Sequence, residues 1–373
     1  MTTSPKLFAP LRLGPLALRN RIMVSPMCQY SAVDGSPVDW HLIHLGSLAI
    51  SGAGLLCLEA TGVSEEGRIT PGCLGLYSDD NQAALQRLIG GLRSVSVIPL
   101  AIQLSHAGRK ASSRAPWEGG QLIAPADGGW LPMAPSAIPQ KPEEPAPQAM
   151  SAADIQGVVA AFAQAARRTR EVGLDAIELH MAHGYLLHQF LSPLSNRRDD
   201  AYGGSLENRM RLPLEVFRAV ADAAGAGIPV GVRLSATDWI EGGWDIEQTV
   251  EVAKRLEALG CAFLDISSGG VWYQQKIPVA PGYQVPFAAR VKREVGIPVV
   301  TVGLITEPAQ AEEIVARGDA DMVALARAFM RDPRWPWRAA AELGGTVVPP
   351  KQLLRSLAPG HSPIFGEVRI GQR

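Results

Sequence analysis

Short apolar runs alternate with longer amphipathic stretches along the chain, from about Arg21 to Arg338. The apolar runs have the length of buried strands, and the stretches between them carry apolar residues at helical spacing. The pattern predicts strands at Ile22–Pro26, Gly54–Ala60, Val97–Leu104, Ala176–Met181, Pro229–Ser235, Phe263–Ser267, Pro298–Val302 and Met322–Leu325. It predicts helices at His41–Ser51, Asp79–Ser94, Ser151–Val172, Ser205–Ala224, Ile246–Leu259, Pro286–Val295, Pro308–Arg317 and Pro333–Leu343.

The simplest closed arrangement of eight strand–helix units is a (β/α)8 TIM barrel. A doubly wound sheet is the alternative, but no G-x-G-x-x-G follows the first predicted strand, which weakens a Rossmann interpretation. A length of 373 residues fits one large domain of this kind. We therefore predict a single TIM-barrel domain over residues 1–373.

Two regions depart from the alternation. The stretch at about residues 105–150 is rich in Pro, Gly and Trp, and it is far longer than an ordinary βα loop. Because it follows the C-terminal end of the third strand, where TIM barrels carry their active sites, it is predicted to be a lid. The tail at about residues 345–373 is Pro-rich and shows little periodicity.

Composition excludes several classes of partner. The formal net charge is −1, and basic residues are scattered along the chain, so neither nucleic acid nor a membrane surface is favoured. No apolar run approaches membrane-spanning length, and no signal-peptide pattern is present at the N-terminus. We expect a cytoplasmic protein.

The four cysteines do not predict a metal or disulfide site. Cys28, Cys57, Cys73 and Cys261 are irregularly spaced and include no C-x-x-C pair. This spacing supports neither a zinc knuckle nor an iron–sulfur cluster.

The fourth predicted strand ends in three hydrogen-bonding side chains, His180, His183 and Tyr185. In a barrel, polar residues at strand C-termini converge on one pocket. The other strand ends carry Ser25, Cys28, Tyr30, Glu59, Thr61, Gln103, His106, Arg233 and Arg327. This set lacks the carboxylate pair of a glycosidase. A metal site would need a third ligand beside the two histidines, and the sequence shows none.

Four segments resemble motifs of the Old Yellow Enzyme family of FMN-dependent ene-reductases. They are Ser25–Tyr30, Gln103–Arg109, Glu178–Tyr185 and Asn196–Arg209. The resemblance covers nearly all of the chain, and it is greatest to the branch that has a cysteine beside the flavin and includes the xenobiotic reductases. It implies tightly bound, non-covalent FMN, with NADPH or NADH as the reductant.

The resemblance also implies a set of cofactor contacts. The residues expected to contact FMN are Ser25, Pro26, Met27, Cys28, Ala60, Gln103, Arg233, Gly303, Ala326 and Arg327. Arg233 would face N1 and O2, where negative charge collects on reduction. Gly303 and Arg327 would bind the phosphate. The family commonly has Gly-Arg where this chain has Ala326-Arg327, so an additional methyl group lies at this position.

The catalytic roles follow from the same resemblance. His180 and His183 would donate hydrogen bonds to the carbonyl or nitro oxygen of an activated alkene, which then accepts hydride at its β-carbon. Tyr185 would protonate the α-carbon. Tyr30 would add a substrate contact, and Cys28 would tune the flavin potential.

The resemblance further implies ping-pong kinetics in one shared pocket, because no separate dinucleotide motif is present. A homodimer or homotetramer is expected, in which Arg355 reaches the substrate site of a neighbouring subunit.

Other interpretations of these residues remain open. Arg233 on a buried strand needs an anionic partner, either a protein carboxylate or the flavin. His106 and Arg109 either take part in the site or only order the lid. The rival functions are a metal-dependent lyase or hydrolase using His180 and His183, and a barrel that binds a ligand without catalysis.

Overall fold

The computed structural model describes residues 4–356 and 364–366. Its centre is a closed barrel of eight parallel strands, in which the last strand pairs with the first. The strands are β1 Ile22–Val24, β2 Leu55–Gly62, β3 Leu100–Ser105, β4 Ala176–Met181, β5 Val230–Ser235, β6 Leu264–Ser267, β7 Val299–Thr301 and β8 Met322–Leu325. The predicted (β/α)8 barrel is therefore confirmed.

A helix follows each strand. The helices are α1 Asp39–Ala49, α2 Asp79–Val95, α3 Ala152–Glu171, α4 Leu206–Ala224, α5 Ile246–Ala258, α6 Val285–Lys292, α7 Pro308–Arg317 and α8 Trp335–Leu343. Side chains of Ser78, Ser151, Ser205 and Asp245 cap four of them by accepting backbone N–H groups. Two short helices, Leu186–Leu191 and Arg327–Arg331, follow β4 and β8 and were not predicted.

The strands alternate between two kinds of surface. Residues such as Ile102, Ile177 and Val232 pack with helix residues in the main hydrophobic cluster. The alternate positions face the barrel interior, and the register places polar groups there at one level. Gln103 pairs with Glu178, and Arg233 pairs with both His180 and Asp265.

An antiparallel hairpin, Leu11–Leu13 with Leu16–Leu18, closes the N-terminal end of the barrel. Leu13 and Leu18 pack against residues near the beginning of the strands, including Leu55, Ala176 and Met322. The hairpin was not predicted, because each of its strands has only three residues and therefore too little alternation to detect.

The insertion, residues 106–151 between β3 and α3, contains little regular structure. It has 3-10 turns at Gly108–Lys110, Pro116–Glu118 and Pro125–Asp127, and Met133–Ala134 pairs with Gln148–Ala149. Of the predicted tail at about residues 345–373, only 345–356 and 364–366 are described, and the rest of that prediction lies outside the described residues. Among the described helices, none has the length and apolar character needed to cross a membrane.

Candidate active site

A tight turn after β4 brings His180, His183 and Tyr185 together. His183 and Gly184 have left-handed backbones, with φ of 57° and 74°. A Cβ on Gly184 would lie 2.2 Å from the carbonyl oxygen of Gly270, so only glycine fits there. The ring centroid of His180 lies 5.0 Å from that of His183 and 4.7 Å from that of Tyr185. The three side chains predicted to meet are therefore neighbours.

Buried hydrogen bonds hold this turn in its unusual conformation. The Ser235 hydroxyl accepts from the His183 backbone N–H at 3.0 Å. His188 Nδ1 accepts from the Gly184 N–H at 2.9 Å, and His188 Nε2 lies 3.0 Å from Asp238 in a fully buried pair. Left-handed backbone in a non-glycine residue persists only where its surroundings fix it, as they do here.

Both imidazoles of the site are neutral at neutral pH. Burial, followed by the nearby Arg233 cation, lowers the pKa of His180 and of His183 well below the ordinary value. The Ala182 N–H donates to His180 Nδ1 at 3.2 Å, which places the His180 proton on Nε2. That Nε2 lies 3.3 Å from His183 Nδ1, and His183 Nε2 lies 2.7 Å from the Ser267 hydroxyl.

Tyr185 lies beside a lysine of the insertion. The Lys110 ammonium is 5.2 Å from the Tyr185 ring centroid and donates to the carbonyl oxygens of His183 and Gly270 at 2.8 and 3.1 Å. Burial and the neighbouring Arg109 lower the pKa of Lys110 to about 8. Burial raises the pKa of Tyr185 well above its ordinary value, so its phenol retains its proton.

The barrel interior holds a network of buried ionisable groups. Arg233 Nε lies 3.1 Å from Asp265, and Arg233 Nη1 donates to the Ser25 hydroxyl at 3.3 Å. Gln103 donates to Glu178 at 2.7 Å. Burial, with the nearby Asp265 charge, raises the pKa of Glu178 to about 8. The sequence left open whether a protein carboxylate pairs with Arg233, and Asp265 is such a carboxylate.

The segment after β1 supplies a thiol and a phenol at the barrel mouth. Cys28 is half-buried, and burial and the Glu59 carboxyl raise the pKa of its thiol well above the ordinary value. Tyr30 has a left-handed backbone with φ of 50°, and its ring packs edge-on against Trp117 at 5.6 Å. The Cys28 side chain is therefore a protonated thiol and a poor nucleophile.

The ends of β7 and β8 also have unusual backbone conformations. Gly303 has φ of 119°, and a Cβ there would lie 2.7 Å from Gln284 Nε2, so the position requires glycine. Ala326 precedes the short helix Arg327–Arg331 with φ of −110° and ψ of −81°, and Arg327 is exposed. Of the other residues predicted to contact the cofactor, Pro26 and Met27 are half-buried. Ala60 and Gln103 are buried and lie side by side on β2 and β3.

The insertion is tied to the barrel mouth. Arg109 donates to the carbonyl oxygens of Ile138 and Pro139 at 3.2 and 3.3 Å and also bonds to that of Val271. These bonds favour the ordering role for Arg109, one of the two roles that the sequence left open. A pocket of about 230 Å³ lies against the insertion, with Tyr30 and Lys110 in its wall.

Arg355 lies on an exposed 3-10 turn, Lys351–Ser356. Within residues 4–356 and 364–366, no three His, Cys, Asp or Glu side chains form a group that could hold a metal ion.

Lys110, Asp265 and Ser267 are site residues that sequence reasoning missed. Lys110 directly follows the Gln103–Arg109 motif, and Asp265 lies two residues after the start of a predicted strand. The sequence shows only where these residues lie along the chain, whereas the residues that they contact are on other strands and loops. Only the barrel register shows that Asp265 faces Arg233.

The sequence comparisons agree with the geometry. The family described as "NADH:flavin oxidoreductase / NADH oxidase family" matches residues 6–344. An NADPH dehydrogenase of Geobacillus thermodenitrificans is 45% identical over 351 residues, covering 94% of this chain and 98% of that protein. One from Listeria innocua is 43% identical over 353 residues, covering 94% and 99%.

Solved structures show the same relationship. Morphinone reductase has a TM-score of 0.75 and 30% identity, with 93% of this chain and 91% of that chain covered. The old yellow enzyme homologue from Zymomonas mobilis has a TM-score of 0.74 and 27% identity, with 90% and 92% covered.

These similarities confirm the expected activity class and cofactors, an NAD(P)H-dependent flavin oxidoreductase that uses FMN. They also confirm the resemblance on which the site residues were chosen. The chain belongs to the NADH:flavin oxidoreductase / NADH oxidase family, which is the Old Yellow Enzyme family.

Proposed function

We propose that this enzyme uses NAD(P)H to reduce the activated C=C bond of α,β-unsaturated carbonyl or nitro compounds. The observation that carries the proposal is the arrangement of His180, His183 and Tyr185, two neutral imidazoles and a protonated phenol grouped at one strand end. This set combines hydrogen-bond donors for an oxygen with an acid for a carbon. A ping-pong sequence fits one shared site.

The imidazoles polarise the substrate. His180 Nε2 and His183 Nδ1 lie 3.3 Å apart, so one oxygen atom is able to approach both. Donors aimed at an oxygen that gains negative charge stabilise the transition state by about 3 kcal/mol each. A carbonyl or nitro oxygen held there withdraws electrons from the conjugated double bond and makes its β-carbon electrophilic.

Tyr185 supplies the proton. Its pKa is raised by burial, so the phenol is protonated when the substrate binds. Its ring lies 4.7 Å from that of His180, and this proximity supports a position beside the carbon chain of an alkene whose oxygen the histidines hold. Proton transfer to the α-carbon completes the reduction. Tyr30 contacts the substrate from the opposite side of the pocket.

The residues present fit FMN. Arg233 has five guanidinium N–H donors, and its Nη2 has no hydrogen-bond partner within the described part of the chain. An accessible donor on a buried cation suits the electron-rich N1 and O2 edge of an isoalloxazine. When bound, FMN would supply the hydride-transfer chemistry between NAD(P)H and the alkene. Gln103 would bind the pyrimidine edge, and Ser25, Pro26, Met27 and Ala60 would line the ring.

The ends of β7 and β8 fit a phosphate. Gly303 has no side chain to cover its backbone, and Ala326 directly precedes the short helix whose first residue is the exposed Arg327. TIM barrels commonly bind phosphate after these two strands. The Ala326 methyl group occupies a position where the family commonly has glycine, and an unusual local ψ of −81° accompanies it.

Several finer roles belong to the same proposal. Cys28 tunes the flavin potential as a neutral thiol. Residues 1–373 act as one FMN-binding domain in which the insertion is a lid, and Arg355 completes the site of a neighbouring subunit in a homodimer or homotetramer. We propose a cytoplasmic location.

Anaerobic half-reaction kinetics test the proposal. The purified holoenzyme should be yellow, should bleach when NADPH or NADH is added, and should regain its colour with enones, maleimides or nitroalkenes. A non-activated alkene is the control and should leave the reduced enzyme bleached. Bleaching without reoxidation by any activated alkene would rule out the proposed substrate class while leaving the flavin oxidoreductase assignment intact.

A further inference from the structure

Ser267, the last residue of β6, contacts the outer nitrogen of the second histidine. Its hydroxyl lies 2.7 Å from His183 Nε2 and 3.3 Å from Gln284 Oε1, and the side chain is buried. A hydroxyl has one proton, so it donates to only one of these two acceptors. Which acceptor receives the proton decides where His183 carries its own.

Gln284 already has partners for its amide. Its Nε2 donates to the Val302 carbonyl oxygen at 2.9 Å, which fixes the orientation of the amide and turns Oε1 toward the serines. The Ser268 hydroxyl donates to that Oε1 at 2.6 Å. The amide oxygen has two lone pairs and is able to accept from both serines, but His183 Nε2 is the nearer acceptor for the Ser267 proton, at 2.7 Å against 3.3 Å.

The two possible His183 tautomers have opposite consequences. Because burial keeps the pKa of His183 well below neutral, the ring has only one N–H. With the proton on Nδ1, His183 and the Nε2–H of His180 point two donors at the same place, which suits a substrate oxygen. With the proton on Nε2, the Nδ1 lone pair accepts from His180 and repels that oxygen.

We propose that Ser267 is a positioning residue that holds His183 in the tautomer with its proton on Nδ1 whenever an acceptor oxygen occupies the site. The hydrogen bond made by one ring nitrogen sets the protonation of the other. Ser267 thus supplies the second N–H donor without touching the substrate. The inference rests on the proposed function, because it assumes that both histidines bind the substrate oxygen.

Nitrogen NMR of histidine-labelled holoenzyme reads the tautomer directly, with phenol as the bound probe. Two-bond correlations between ring protons and nitrogens distinguish protonated from unprotonated nitrogen, and a His183→Gln variant assigns the signal. Wild-type enzyme with phenol should show His183 protonated on Nδ1. Ser267→Ala should move the proton to Nε2, and Ser267→Thr, which keeps a hydroxyl, should restore Nδ1–H.

Phenol affinity provides the second readout, measured from the change in flavin absorbance. Ser267→Ala should weaken phenol binding about 10- to 100-fold, by analogy with the loss of a group that orients a metal-ligating histidine. Ser267→Thr should recover most of the affinity. Thr301→Val is the matched control, since Thr301 is an equally buried hydroxyl on the adjacent β7 that contacts no imidazole, and it should behave like wild type.

The outcomes separate the two proposals. If phenol binds the wild-type enzyme, and Ser267→Ala changes neither the His183 tautomer nor the phenol affinity, only the role of Ser267 is overturned. An equal loss in Thr301→Val would show that any buried hydroxyl has the same effect, and it would also overturn that role. If phenol does not bind wild-type holoenzyme at the histidines, the proposed function fails and this inference fails with it.

Discussion

The two ends of the barrel are built from the same strands but from opposite kinds of side chain. At the N-terminal end, Leu13 and Leu18 of the hairpin pack on Met23, Leu55 and Phe263 in an apolar layer. At the C-terminal end, the inward positions are buried groups that ionise or form hydrogen bonds, namely Gln103, Glu178, His180, Arg233, Asp265 and Ser267. Two residues along a strand separate these environments, as Ala176 and Glu178 show.

This difference shows where the fold gains stability and where it loses it. Apolar burial stabilises the barrel, whereas burial of ionisable groups costs free energy unless each group is paired. Burial raises the pKa of Glu178 to about 8 and lowers the pKa of both site histidines, and the direction of each shift reflects that cost. It follows that substitutions at one end should change stability and those at the other should change chemistry.

Tyr185→Phe should show the largest effect at the polar end. The variant keeps the ring beside His180 but loses the acidic proton, so alkene reduction should slow by about 10²- to 10⁴-fold. Flavin reduction by NADPH needs no such proton and should remain nearly unchanged. Stopped-flow measurement of the two half-reactions checks this, with Tyr202→Phe as the control, at a half-buried tyrosine whose hydroxyl donates to Glu215. Equal slowing of both half-reactions would remove Tyr185 from the role.

Leu13→Ala should show the converse effect at the apolar end. Leu13 is fully buried in the closing layer, so its truncation should lower the free energy of unfolding by about 2–5 kcal/mol. Chemical denaturation measures this, and turnover per folded molecule at low temperature should stay at the wild-type level. Leu131→Ala, at an exposed position, is the control and should change stability little. A large fall in turnover of folded Leu13→Ala would contradict the division between the two ends.

Lys110→Met should have an intermediate effect that depends on pH. We expect the ammonium beside the Tyr185 ring to stabilise the tyrosinate that the proposed proton transfer would form. Because the pKa of Lys110 is lowered to about 8, this cation is present below pH 8 and is lost as the pH rises through that value. The wild-type alkene half-reaction should therefore slow across this range.

At pH 7, Lys110→Met should be about tenfold slower than wild type, a difference of about 1.4 kcal/mol. Its rate should no longer fall through pH 8, and Lys254→Met, at an exposed position on α5, should behave like wild type. A variant that retains the wild-type pH profile would show that another group titrates there.

Cys28→Ala should show the smallest effect on rate. Its raised thiol pKa excludes a thiolate nucleophile at neutral pH, so turnover should stay within a few-fold of wild type while the flavin reduction potential shifts. Potentiometric titration measures the shift. Complete loss of turnover with FMN still bound would show that the thiol takes part in the chemistry.

The regular elements were predictable from sequence because each carries its own periodic signal. The predicted bounds of β4, β8 and α7 agree with the structure at both ends. The resemblance also selected His180, His183 and Tyr185, which the structure groups within one turn.

The pairings inside the barrel were not predictable, because each depends on strand register. Arg233 and Asp265 lie on different strands, and neither side chain carries a local signal of the other. Lys110 reaches Tyr185 only because the insertion folds back over the strand end. The contact of Ser267 with His183 likewise joins two strand ends that are distant in sequence.

Phenol titration of the oxidised holoenzyme tests the central claim most directly. A phenolate held by His180 and His183 over the flavin should produce a long-wavelength charge-transfer band in the wild-type protein. The band should be absent at the same phenol concentrations from a His180→Ala, His183→Ala variant that still binds FMN. A band of wild-type strength and affinity in that variant would contradict the claim that these two imidazoles hold the acceptor oxygen.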